Sequence, residues 1–93
     1  MGYIVKLTNE AKDDFKGMFS YYLTETQDAE YTQKIINDIR VKIDDLKIFP
    51  FRYPPIMHED ESIRVMYYQR YAIAYEVTED TVIILYVKHT SRA

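Results

Sequence analysis

Residues 62–93 constrain the fold of this chain more than any other segment. They read SIRVMYYQRYAIAYEVTEDTVIILYVKHTSRA and contain three runs of β-branched and aromatic residues separated by two short polar turns. The first two runs alternate in character, which is typical of strands with two different faces. The third run, residues 82–87, is apolar throughout, so we expect a strand inside the sheet with both faces covered. The segment therefore predicts an antiparallel meander.

The first half of the chain predicts one strand and two helices. Residues 3–7 are β-rich and form a short first strand. Thr8 or Asn9 is a suitable N-cap of the first helix, and Asp28 is a suitable N-cap of the second. Apolar residues recur at helical spacing in both segments: Ala11, Phe15, Met18 and Tyr22, with Phe19 beside them, and then Ile36, Ile39, Ile43 and Leu46.

The order of these elements, β-α-α-β-β-β, defines the fold class. The connection between the helices is short, so they should form an antiparallel helical hairpin. Prolines at positions 50, 54 and 55 end the second helix. We therefore predict a single domain over residues 1–93 of the α+β class. It should have two layers, with the helical hairpin packed on one face of an antiparallel sheet that the N-terminal strand joins as an added strand.

Composition and charge limit the classes of function. The net charge is −3 and the pI is about 5.3, which argues against strong non-specific binding to nucleic acid but leaves room for a local basic patch. Without cysteine the chain has no disulfide and no thiolate metal site, as is usual in a reducing cytoplasm. The first residues do not resemble a signal peptide, and no apolar run is long enough to span a membrane. We expect a cytoplasmic protein.

The sequence also predicts no cofactor and no metal. The two histidines are far apart in the sequence, and no cysteines accompany them, so no zinc-like ligand spacing is present. The only glycines are Gly2 and Gly17, so there is no glycine-rich loop for a phosphate.

Several short motifs, in this order, resemble the RelE/ParE superfamily, the toxin halves of bacterial type II toxin–antitoxin modules. They extend over nearly the whole chain: Leu7-Thr8-x-x-Ala11-x-x-Asp14-Phe15, Leu46-x-x-Phe49-Pro50 with Arg52-Tyr53-Pro54, Ile63-Arg64, Arg70-Tyr71-x-Ile73-x-Tyr75-x-Val77, and Asp80-Thr81-Val82-Ile83-Ile84-Leu85-x-Val87-x-His89.

The resemblance implies two alternative activities. RelE-like members cut mRNA on the ribosome, whereas ParE-like members poison DNA gyrase and need no hydrolytic site. Members of both kinds inhibit growth, and the superfamily is associated with plasmid stabilization. The resemblance also implies a cognate antitoxin as partner, a flexible segment of which folds onto the toxin. One fold hosts both activities, so the resemblance alone leaves the target open.

Departures from the RelE-like pattern favour the ParE-like alternative. RelE-like members often carry an Arg directly after the Tyr equivalent to Tyr71, and this chain has Ala72 there. Lysines that some members carry on the preceding strand are Ile63 and Val65 here. We therefore predict a toxin that inhibits DNA gyrase by binding. The alternative is a ribosome-dependent endoribonuclease, and a further alternative is a degenerate toxin that only binds its antitoxin, because the sequence ends soon after the last strand.

The catalytic candidates for the nuclease alternative are His89, Arg64 and Arg92. An imidazole exchanges protons near neutral pH, and a guanidinium fork suits a phosphate. His89 has a second interpretation, a hydrogen bond to a loop at the end of the strand. For Arg64 the second interpretation is a surface pair with Glu61 or Glu76.

The candidates for partner binding are Tyr68, Arg70 and Lys88. A phenol ring packs well against a partner while its hydroxyl stays hydrated, and exposed cations bind acidic partners. Arg64 and Tyr68 share one face of their strand with Met66. Arg64 is available to a phosphate or to an antitoxin carboxylate only if that face points away from the helices.

Overall fold

A computed structural model describes residues 2–26 and 28–90 of the chain. Its elements in chain order are β1 (Ile4–Leu7), α1 (Asn9–Thr26), α2 (Ala29–Asp45), β2 (Pro55–Met57), β3 (Asp60–Tyr68), β4 (Tyr71–Val77) and β5 (Thr81–His89). The predicted α+β order is confirmed, with β2 as an additional short strand. Neither helix, as far as the structure describes them, is long and apolar enough to cross a membrane.

The five strands form one sheet in the order β1-β5-β4-β3-β2. Strands β3 to β5 form the predicted antiparallel meander, and β2 extends it with a further antiparallel pairing. β1 instead pairs parallel with β5, with Ile4 opposite Thr81 and Leu7 opposite Ile84. The sheet is therefore mixed: the predicted strands of the meander are antiparallel, and the N-terminal strand joins them in the parallel direction, which the prediction had not specified. The helices and the meander together supply the long crossover that a parallel pair needs.

β2 was not predicted because Pro54 precedes it and Pro55 is its first residue, and proline is uncommon in strands. Pro55 pairs with Arg64 at the edge of the sheet, where a residue without an N–H group is tolerated. The apolar run in β5 lies between β1 and β4, inside the sheet, as predicted.

Side-chain caps begin both helices. The N–H of Ala11 donates to Thr8 Oγ1 at 3.1 Å, and the Thr8 hydroxyl donates to the carbonyl of Leu85 at 2.8 Å. Thr8 thus caps α1 and ties its start to β5. At the second helix the N–H of Tyr31 donates to Asp28 Oδ1 at 3.0 Å. Both predicted caps are confirmed.

The core lies between the hairpin and one face of the sheet. In the strand register, Met66 is opposite Ile73 and Ile73 is opposite Val87, and all three are buried. The predicted helical stripes are buried against them: Ala11, Phe15 and Met18 from α1, and Ile36, Ile39, Ile43 and Leu46 from the second helical segment. Phe19 lies at the margin of the core and is 36% exposed. The side chain of Tyr22 lies outside the part of the chain that the structure describes.

Candidate functional site

Arg64 lies on the helix-facing side of β3. It is 9% exposed, and Met66 beside it on the same face is fully buried. Its Nε donates to the carbonyl of Glu61 at 2.9 Å, and its Nη1 donates to the carbonyl of Tyr53 at 2.7 Å. The guanidinium also stacks 4.9 Å from the ring centroid of Phe51. Arg64 therefore bonds main-chain carbonyls at the start of its own strand and in the loop before β2, whereas the sequence predicted a carboxylate partner or an open sheet face.

Tyr75, on the neighbouring strand β4, supports the same loop between α2 and β2. It is opposite Arg64 in the register, is fully buried, and donates its hydroxyl to the carbonyl of Pro50 at 2.8 Å. Burial raises the pKa of the Tyr75 phenol. The Phe49-Pro50 and Tyr53 parts of the sequence motif are thus held by Tyr75 and Arg64, which gives this motif a structural role.

The hydroxyl of Tyr68 is engaged inside the molecule. It donates to Asp38 Oδ2 on α2 at 2.7 Å, and Lys34 Nζ donates to the same oxygen at 2.8 Å. Lys42 Nζ lies 5.5 Å from the centroid of the Tyr68 ring. The hydrogen bond from Lys34, followed by that from Tyr68, lowers the pKa of Asp38. This network attaches the end of β3 to α2.

Lys88 and the adjoining backbone of β5 are held by α1. Asp14 Oδ1 accepts from Lys88 Nζ at 2.7 Å, and Asp14 Oδ2 accepts from the N–H of Val87 at 2.9 Å. Glu10 Oε2 lies 3.2 Å from the same ammonium group. The bond to Asp14 is the main cause that raises the pKa of Lys88. Because β1 is short, α1 follows the outer edge of β5 beyond it, and Asp14 pairs an N–H group there.

His89 lines a cleft of about 230 Å³ between α1 and β5. Its ring lies edge-on to that of Tyr71, with the centroids 5.2 Å apart and an interplanar angle of 88°. Asp13, Asp14 and Gly17 line the same cleft. A side chain at position 17 would meet open space, since no atom lies within 4 Å of a Cβ built there. The cleft therefore combines a titratable imidazole with two carboxylates, a set suited to proton exchange.

The structure does not bring together Arg64 and His89, the two predicted catalytic residues that it describes. His89 is opposite Tyr71 and Arg64 is opposite Tyr75, four positions further along β4, which corresponds to about 13 Å at the rise of a strand. Arg92 lies outside the described residues. Within residues 2–26 and 28–90, no group of three or more acidic or histidine side chains could hold a metal ion.

Among the binding candidates, Arg70 has the most accessible side chain. It lies exposed in the turn between β3 and β4, and its carbonyl accepts from the N–H of Thr90 at 2.8 Å. Gln69 before it has a φ of 51°, the left-handed region that disfavours residues other than glycine. The turn thus projects Arg70 from the end of the sheet that also carries His89.

Sequence reasoning included Asp14 in a motif but assigned it no role. Its contacts to β5 join residues more than seventy positions apart. A polar residue in the middle of an apolar helical stripe, between Ala11 and Phe15, was the available signal.

Three solved structures share this fold. The chromosomal ParDE TA system from P. aeruginosa aligns with a TM-score of 0.77 at 17% identity, covering 94% of this chain and 95% of that chain. The toxin–antitoxin complex RelBE2 from Mycobacterium tuberculosis gives 0.66 at 21% identity, with 96% and 99% covered. A conserved hypothetical protein from Helicobacter pylori, in a solution structure, gives 0.59 at 16% identity, with 98% and 97% covered. At these identities the likeness defines the fold alone.

Sequence comparison supplies the family. The family model described as ParE toxin of type II toxin-antitoxin system, parDE, matches residues 5–93. The chain belongs to this family, and the RelE/ParE resemblance is confirmed. It is therefore a toxin of the RelE/ParE superfamily from a type II toxin–antitoxin system. A comparison with curated protein sequences gives no significant match.

Proposed function

We propose that this toxin inhibits growth by binding DNA gyrase, as the sequence comparison with ParE-like members implies, and that a cognate antitoxin neutralises it. The observation that carries the choice of target is the internal use of Arg64. Its guanidinium is bonded to main-chain carbonyls and is remote along β4 from His89. The described part of the nuclease set therefore does not converge on one reacting phosphate. Either target would place the action of the toxin in the cytoplasm.

The antitoxin is proposed from the family and from the similarity of the fold to that of a ParDE system and of the RelBE2 toxin–antitoxin complex. For the target, we propose a surface that includes Arg70, with Tyr68 and Lys88 contributing the parts of their side chains that remain accessible. The side chain of Lys88 is half-exposed despite its ion pairs. Arg70 is the leading candidate because its side chain projects from a turn.

Two assays run in parallel test the target. The purified chain is added to a gyrase supercoiling reaction and to a translating extract that carries a reporter mRNA. We expect broken DNA in the first and intact message in the second. An Arg70→Ala variant should weaken the effect on gyrase without changing the thermal melting curve. Cleaved message with normal supercoiling would contradict the proposal, and no effect in either assay would favour a degenerate toxin that only binds antitoxin.

The ribosome-dependent nuclease is the second candidate function, because His89 shares its cleft with Asp13 and Asp14. In that mechanism His89 would transfer a proton, while Arg64 and Arg92 would bind the phosphate. His89→Ala should then abolish message cleavage. The matched control is His58→Ala, since His58 is exposed in the turn between β2 and β3. Under the gyrase proposal both variants leave the supercoiling effect unchanged.

A further inference from the structure

The turn between β3 and β4 holds one residue in an unfavourable backbone conformation. Tyr68 pairs with Tyr71, so Gln69 and Arg70 form a two-residue loop, the β-hairpin tip. Gln69 has a φ of 51° and is the only residue other than glycine with a positive φ within residues 2–26 and 28–90. Glycine or asparagine is usual at such a position, because a larger side chain crowds the backbone there. We therefore expect the turn to be less stable with Gln69 than with glycine.

The internal contacts of Gln69 do not explain why a glutamine occupies this position. Its side chain is exposed, and among the described residues its amide Nε2 reaches only the hydroxyl of Tyr68, at 3.5 Å. That distance is at the limit of a hydrogen bond, and the same hydroxyl already donates to Asp38 at 2.7 Å. Backbone strain without an internal reason is characteristic of positions that meet a ligand.

The residues around the β-hairpin tip hold it in place. On one side, the hydroxyl of Tyr68 donates to Asp38 on α2. On the other side, the carbonyl of Arg70 accepts from the N–H of Thr90 at 2.8 Å, and Tyr71 is 1% exposed in the core. Both ends of the loop are thus attached to the body of the protein, while its two side chains extend into solvent. A loop fixed in this way loses little conformational entropy when it binds a partner.

The charge at this turn favours an acidic partner. The guanidinium of Arg70 takes part in no ion pair among the described residues. Lys42 adds a second cation, with its Nζ 5.5 Å from the centroid of the Tyr68 ring. The nearby carboxylate of Asp38 is already bonded to Tyr68 and Lys34. Because a guanidinium fork binds a carboxylate through two parallel hydrogen bonds, a carboxylate of a partner is the ligand that suits Arg70.

We propose that the β-hairpin tip is the part of this toxin that contacts gyrase. Arg70 pairs with a carboxylate in an acidic segment of gyrase, and the amide of Gln69 binds the main chain beside that carboxylate. The identity of the partner rests on the proposed function. DNA held by gyrase suits the tip less well, because the chain carries a net charge of −3. Gln69 is thus a specificity residue, which lowers the stability of the free toxin and contributes to binding.

The test uses the full chain and the gyrase holoenzyme. Biolayer interferometry measures the affinity without DNA, and a supercoiling reaction measures the toxin concentration that gives half-maximal DNA breakage. Gln69→Gly removes the amide and relieves the backbone, whereas Gln69→Asn keeps an amide and tolerates the left-handed region. The matched control is Glu79→Gly, which places a glycine in the exposed turn between β4 and β5 at the opposite end of the sheet. Thermal melting follows the stability of every variant.

We expect Gln69→Gly to raise the melting temperature by roughly 4 °C, because glycine adopts a positive φ without strain. The same variant should weaken binding to gyrase roughly tenfold, because the hydrogen bonds of the amide are lost. Gln69→Asn should bind more tightly than Gln69→Gly. Arg70→Lys should weaken binding although the charge is kept, because an ammonium group cannot reproduce the fork. The control should bind gyrase like the unmodified toxin.

Four results would overturn the proposal in distinguishable ways. If Gln69→Gly breaks DNA at the same concentration as the unmodified toxin, Gln69 is not a contact, although the action on gyrase stands. If its melting temperature falls, Gln69 supports the turn and the strain has no bearing on function. Binding to gyrase that requires DNA would assign the tip to phosphate groups. If the unmodified toxin does not affect gyrase at all, the proposed function itself fails and the tip loses its partner.

Discussion

Two groups of cations in this toxin differ in what they contact. Arg64 and Lys88 are bonded within the molecule, Arg64 to main-chain carbonyls and Lys88 to Asp14 and Glu10. Lys12 and Lys16 line two adjoining depressions along the helical hairpin, which share Phe15 and Arg40 and together form the hairpin groove. Neither lysine takes part in an ion pair among the described residues. In the sequence, the first group drew attention as candidate site residues and the second did not.

The comparison shows how position in the fold separates cations that are bonded within the protein from cations that stay available to a ligand. A guanidinium whose donors are already bonded must lose those hydrogen bonds before it can bind a phosphate. Breaking hydrogen bonds at a buried site costs free energy, because the carbonyl acceptors are left without partners. An ammonium group without an internal partner can bind an acidic ligand with only hydration and side-chain entropy to lose. Variants of Arg64 and Lys88, the inner group, should therefore reduce stability. Variants of Lys12 and Lys16, the groove group, should leave stability nearly unchanged.

The largest expected effect comes from Arg64→Ala. The substitution removes the three charge-assisted hydrogen bonds to main-chain carbonyls and the stacking on Phe51, so we expect a loss of about 3 kcal/mol in the free energy of unfolding. Urea denaturation measures it. Arg64→Lys should recover only part of the loss, because an ammonium group cannot reproduce the fork. A loss below about 1 kcal/mol would mean that Arg64 is not structural, and the contrast between the two groups would fail.

Asp14→Ala should have the next largest effect, about 2 kcal/mol, because it leaves the N–H of Val87 without its partner. Glu10→Ala is the matched control, since both carboxylates contact Lys88 but only Asp14 also binds the backbone. The Asp14 side chain is 14% exposed and that of Glu10 is 59% exposed. The control should change the free energy of unfolding by less than about 0.5 kcal/mol. Equal losses in the two variants would contradict the role of Asp14 at the edge of β5.

Alkaline pH should lower the free energy of unfolding gradually, through Lys88 and Tyr75. The pKa of Lys88 is raised above 10.5 by Asp14, and the pKa of Tyr75 is raised above 10.0 by burial. For both, the folded state favours the protonated form. The two groups contribute fully to stability below their ordinary pKa values. This contribution is lost as the pH rises through their pKa values in the folded protein. The free energy of unfolding should therefore fall above pH 10.0. Tyr75→Phe and Lys88→Gln should each reduce the slope of this fall, and an unchanged slope in both variants would contradict the assignment.

The smallest expected effect on stability belongs to the groove. Lys12→Ala and Lys16→Ala should each change the free energy of unfolding by less than about 0.5 kcal/mol, because neither ammonium group has an internal ion-pair partner among the described residues. Urea denaturation at low salt is the measurement. A loss as large as that of Asp14→Ala would show that the groove lysines also support the fold, and would remove the distinction between the two groups.

Much of the fold could be predicted from local patterns. The apolar stripes gave both helices, Thr8 and Asp28 gave their N-caps, and alternation gave the three long strands. These features depend on residues within a few positions of one another. β2 was missed because the prolines around it resemble a loop, and the parallel pairing of β1 was missed because register between distant strands leaves no local pattern.

The candidate site was less predictable. Alternation placed Arg64, Met66 and Tyr68 on one face of a strand, but it did not say which face the helices cover. The helices cover the face that carries these three residues, so the Arg64 guanidinium and the Tyr68 hydroxyl have partners inside the molecule. The role of Arg92 remains a prediction, since this residue lies outside the described part of the chain.

Both helices, every strand except β2 and the family of this toxin could be derived from the amino-acid sequence, because periodicity, caps and short motifs are properties of neighbouring residues. Which cations are bonded inside the protein and which line its surface depended on tertiary packing. The physical reason is that a hydrogen bond such as that from Val87 to Asp14 depends on the approach of β5 to α1, and that approach results from the packing of the whole core.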